Sequence, residues 1–191
     1  MSGLEFLDQY TLLVTAYSSK VLKYDINGTY LGMFAPNNYP CYGLLRVDDE
    51  TIAVSSFAGI FFYDFDGGLS PKYEIMRANA PVDMTLVGKN LLVYVAENGD
   101  SRYNTVLKSC LDRGCEEEIV ASLPVSDEPH LVGITAIPET DDVLVVSRSY
   151  SRIFKCSTLV TGVNLVDDCQ MWASDDTMET DRGVLEINHD P

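Results

Sequence analysis

Side chains able to bind a cation or move a proton gather in a few short segments of this 191-residue chain. NNYPCYG contributes Asn38 and NAPVD contributes Asp83. AENGD brings Glu97, Asn98 and Asp100, and DEPH brings Asp127, Glu128 and His130. SDDTMETDRG adds Asp175 and Asp176. A hard cation such as Ca²⁺ takes about six to eight oxygen ligands, so carboxylates and amides converging from several loops suit it. His130 follows Pro129, where a neutral imidazole could accept a proton. Ordinary uses compete with both readings: acidic loops are commonly solvated turns, and a histidine without a fixed partner usually lies on the surface. AENGD also lacks the alternating acids and final glutamate of an EF-hand loop. No nucleophile elbow, zinc-protease helix motif, phosphate-binding loop or dinucleotide fingerprint occurs. The sequence therefore assigns no catalytic residue and no metal site. It marks a set of ligand-binding residues, with calcium as the cofactor to test.

These segments lie between recurring units. GLEFLDQYTLLVTAYSSKVLKYDINGTYLGMF starts at Gly3, GLLRVDDETIAVSSFAGIFFYDFDGGLSPKYEI at Gly43 and GITAIPETDDVLVVSRSYSRIFKC at Gly133. A weaker copy starts at Asp83, and GVLEINHDP starts a fifth unit at Gly183. Within a unit, apolar residues alternate or run in short stretches between turn signals, which is the pattern of strands. The second unit reads as strands over 43–47, 51–57, 59–65 and 72–76. Asn27-Gly28 and Asp66-Gly67 mark hairpin turns, where positive φ is tolerated at little cost. No stretch combines a sustained 3.6-residue period with helix caps, so almost no helix is expected. Four antiparallel strands repeating at this spacing predict the blades of a β-propeller. A β-sandwich is the alternative, disfavoured by the fixed phase of the unit starts.

The motif of Pro, Gly, alternating apolar residues, acidic turn, apolar strand and aromatic-Asp recurs in PCYGLLRVDDETIAVSSFAGIFFYDFDGG and, through its first half, in PHLVGITAIPETDDVLVVS. It resembles NHL-type repeats and the related six-bladed gluconolactonase-like propellers. The resemblance spans nearly all of the chain and implies fold more than activity, because turn and core residues carry it. In the gluconolactonase-like group a Glu, Asn and Asp set surrounds a central metal, one ligand lying near the start of an innermost strand. Asp83 alone is acidic at such a start, since the other units begin at Gly3, Gly43, Gly133 and Gly183. The Trp-Asp signature of WD repeats is absent, because Ala follows the single Trp172.

Four units and the first strand of a fifth read as one all-β domain, 1–191, or a fragment of one. The expected architecture is an incomplete ring whose open blade faces favour self-association. A closed four-bladed ring with a C-terminal extension is the alternative. Loops at the channel mouth are where propellers place ligands. Cys110 with Cys115, and Cys156 with Cys169, each span a third-to-fourth strand hairpin, where neighbouring strands bring Cα atoms within bonding range of a disulfide. Such bonds, with the glycosylation sequon at Asn27, point to an extracellular or secretory compartment. Buried free thiols, the competing reading, fit the cytoplasm.

Charge limits the partners. Asp and Glu number 29 against 13 Lys and Arg, a net charge of −16, which repels nucleic acid. Residues 1–95 hold 10 acids and 6 bases, a net −4, while residues 96–191 hold 19 and 7, a net −12. No apolar run reaches the ~20 residues of a membrane span, and the acidic start does not read as a signal peptide. The functional expectation is a non-catalytic module binding a protein or small ligand through its loop face. The alternative is a calcium-dependent lactonase or esterase.

Overall fold

The computed structural model describes residues 3–15, 19–37, 39–76, 80–97, 104–111, 117–123, 131–148 and 150–174. Strands β1 (Leu4–Asp8), β2 (Thr11–Thr15), β3 (Lys20–Asp25) and β4 (Tyr30–Pro36) form one antiparallel sheet in chain order. A second follows from β5 (Cys41–Arg46), β6 (Thr51–Ser56), β7 (Gly59–Asp64) and β8 (Tyr73–Met76). The third holds β9 (Ala80–Val87), β10 (Leu91–Glu97), β11 (Asn104–Cys110) and β12 (Glu118–Ser122). The fourth begins with β13 (Leu131–Ala136), β14 (Asp142–Ser147) and β15 (Arg152–Ser157). The chain then leaves it: β16 (Val163–Asn164) pairs in parallel with β12 of the third sheet. One helical turn, α1 (Leu165–Asp168), brings it back to β17 (Gln170–Ser174), the fourth strand of that sheet. Asn164 caps α1, its side chain accepting from the backbone N–H groups of Val166 and Asp167.

The strands of the second unit lie within two residues of where the turn signals set them. The hairpin at Asn27 shows why such signals work. Asp25 carboxylate accepts from the N–H groups of Asn27 at 2.9 Å and Thr29 at 2.7 Å, while Gly28 takes φ +85°. These bonds to the ionised form hold the Asp25 carboxyl below its ordinary range.

Each sheet is a blade with two apolar faces, so the core consists of three joints. Leu13 and Val21 of the first blade pack against Ile52, Val54, Phe61 and Tyr63 of the second. Ala53, Ile60 and Phe62 on the second blade's other side meet Met84, Leu92, Tyr94 and Leu107 of the third. Val93, Val95 and Val106 of the third meet Val143, Val145, Phe154 and Cys156 of the fourth. Strand β6 is buried at every position because blades cover it on both sides. Period-2 alternation separates these two sets of side chains, so a one-residue slip would exchange them. The innermost strands pack in the sequence β1–β5–β9–β13, and no comparable packing joins β13 back to β1 among the described residues. The described blades thus form an open series. The fifth unit start, Gly183, lies outside the described residues.

Candidate functional site

The unit-start residues Gly3, Gly43, Asp83 and Gly133 lie on or beside the innermost strands, and they define the site. A Cβ on Gly3 would stand 2.6 Å from the Tyr42 carbonyl oxygen of the next inner strand. One on Gly43 would meet the Val82 carbonyl oxygen at 3.1 Å and Asp83 Oδ1 at 3.2 Å. Glycine recurs at these positions because the next inner strand approaches closely there.

A hydroxyl links each of the first two joints. The Gly3 N–H donates to Thr15 Oγ1 at 2.6 Å, and that hydroxyl donates to the Tyr42 carbonyl in the second blade. Likewise the Gly43 N–H donates to Ser55 Oγ at 2.7 Å, and Ser55 donates to the Val82 carbonyl of the third blade at 3.3 Å. In the third blade the polar group has crossed the ladder. Val95 pairs with Asp83, so β10 offers no hydroxyl, and the Asp83 carboxylate takes over the link. Its Oδ2 accepts from the Ile134 N–H of the fourth blade at 3.0 Å. Two residues on, Thr85 Oγ1 accepts from the Ala136 N–H at 3.1 Å, as Glu5 Oε2 accepts from the Arg46 N–H at 3.2 Å in the first joint.

Asp83 was expected in a mouth-facing loop. It is instead the fourth residue of β9, because β9 begins at Ala80 and takes in NAPVD from its second residue on. Its carboxylate lies between Gly43 and Gly133, with Oδ2 3.6 Å from a Cβ built on Gly133. Burial pushes its pKa above the ordinary carboxylate value, partly offset by the N–H groups of Ile134 and Met84. Glu97 is the last residue of β10, paired with Ala80 and Asn104. Asn38, Asn98, Asp100, Asp127, Glu128 and His130 lie outside the described residues, as do Cys115, Asp175 and Asp176. Among the described residues no group of three or more His, Cys, Asp or Glu is placed to hold a metal ion. The sequence reading missed Thr15 and Ser55. Their signal was a hydroxyl twelve residues after the unit-start glycines Gly3 and Gly43.

Cys156 and Cys169 are joined by a disulfide with Cα atoms 4.9 Å apart, as the hairpin reading required. Cys110 is also disulfide-bonded. Cys41 is a buried free thiol whose pKa burial pushes up to about 11. Asn27 is exposed at its turn. No described helix is long and apolar enough to cross a membrane.

The class of fold is a β-propeller, and solved structures agree. The WD40 domain of Neurospora crassa Pan2 superposes with a TM-score of 0.60 at 14% identity, covering 92% of this chain and 53% of that one. The computationally designed Ika4 protein gives 0.54 at 13% identity, covering 81% of this chain and 89% of its own. The designed Ika8 protein gives 0.53 at 11%, covering 82% and 45%. The chain thus spans about half the length of two of these structures. No family model and no curated protein matches the sequence.

Proposed function

We propose that the chain is a non-catalytic propeller module that binds a protein partner through its loop face, within the NHL-like group of repeats. The observation that carries this reading is the engagement of Asp83. The residue best placed by sequence to ligate a central metal directs its carboxylate at the Ile134 N–H and holds two blades together. The net charge of −16 suits a partner with a basic contact surface, through long-range attraction that salt would weaken. A small-molecule ligand at the same loops is the narrower version. An extracellular or secretory setting belongs to the proposal, supported by the Cys156–Cys169 bond and the exposed Asn27 sequon.

A calcium-dependent lactonase is the second reading, favoured by the position of the Asp83 carboxylate among the inner strands. Purified protein incubated with lactones and aryl esters, with and without Ca²⁺, separates the two. No turnover and no saturable heat of Ca²⁺ binding are expected. Turnover that Asp83→Ala abolishes, in a variant retaining its far-UV spectrum, overturns the binding-module reading.

A further inference from the structure

One face of the first blade is built like the faces that other blades cover, yet nothing among the described residues covers it. In the second blade, Ile52 pairs with Tyr63 and Val54 with Phe61, and all four side chains are buried against the first blade. The matching positions in the first blade are Leu12 paired with Tyr24 and Val14 paired with Leu22. None of these is buried. They are extended by Leu4 and Phe6 on β1, which are 63% and 56% exposed, and by Tyr30 and Met33 on β4. Tyr24 and Tyr30 rings lie 5.6 Å apart on this surface. A continuous apolar sheet face, with the charged Lys20 only at its end on β3, is an association surface rather than ordinary solvent-facing sheet.

The three internal joints show what covers such a face. In each, one blade's side toward the preceding blade is met by that blade's far side. The fourth blade's far side carries Leu144 and Val146, both only partly buried, beside the Lys155–Asp142 ion pair, and no described blade follows it. We infer that two copies of this chain join head to tail, the far side of the fourth blade of each covering the open face of the first blade of the other. Two such joints close a ring about a two-fold axis, so no blade face is left to propagate a filament. The lengths allow this: the chain covers 53% of the Pan2 WD40 chain and 45% of Ika8, so two copies match either, whereas one copy covers 89% of Ika4.

The experiment is light scattering and sedimentation of the full chain with two sets of variants. Wild-type protein is expected at twice the monomer mass down to low micromolar concentration. Phe6→Lys with Met33→Lys changes side chains exposed in the single copy, so each monomer keeps its far-UV spectrum while the dimer dissociation constant rises at least about tenfold. Leu144→Arg is expected to weaken the dimer in the same way from the other face. A wild-type monomer at about 100 μM overturns the inference. So does a dimer indifferent to the first pair, or one sensitive to that pair but not to Leu144→Arg, which would mean first blade against first blade.

Discussion

Asp83 holds its place by geometry at an electrostatic cost. Its carboxylate receives the Ile134 N–H across the third joint, but burial disfavours the charged form and raises its pKa. A raised pKa in the folded protein means stability that is greatest below the ordinary carboxylate range and falls as pH rises through the folded value. Asp83→Asn keeps an acceptor oxygen and removes the charge. The variant is expected to melt above wild type at pH 7.5, with the difference shrinking towards pH 4. A melting difference constant across that interval, followed by circular dichroism, would falsify this account. The unit-start glycines were legible in sequence because their spacing is regular. Thr15 and Ser55 were not, since serine and threonine are ordinary strand residues and each acts on a carbonyl in the next blade.

At the scale of elements, strand boundaries could be read wherever a turn had its own chemistry, as at Asp25–Thr29 and Asp66–Gly67. The excursion through β16 and α1 could not, because two strand residues and four helical ones are too few to show a period. That excursion returns the chain to β17 and sets Cys169 beside Cys156. The bond closes a loop with a sequence separation of 13, and a loop of this size stabilises a fold by about 3 kcal/mol. The double change Cys156→Ala with Cys169→Ala is expected to lower stability to urea by about that amount. Protein from an oxidising compartment should also gain mass on reduction. A fully reduced native sample would remove the support for secretion.

For the whole molecule, the charge of −16 acts on every joint at once. Like charges repel within one compact chain, and more strongly between two associated copies. Salt shortens the screening length from about 30 Å at 0.01 M to about 8 Å at 0.15 M. The melting temperature is therefore expected to rise by several degrees over that range. A flat or falling curve in calorimetry would show that local ion pairs, such as Lys155 with Asp142 at 2.8 Å, outweigh the net field.

The hydroxyl links have a bearing on how such a chain could lengthen. Between the first two joints, the second unit holds both halves of a connection, the Ser55 hydroxyl for the unit after it and the Tyr42 carbonyl for the unit before. A tandem duplication of that unit would therefore arrive with its couplings already written, and the array could grow without new compensating changes. The third joint breaks that interchangeability. There the coupling group sits on β9, so a unit copied from upstream would bring a glycine where the following blade awaits a carboxylate.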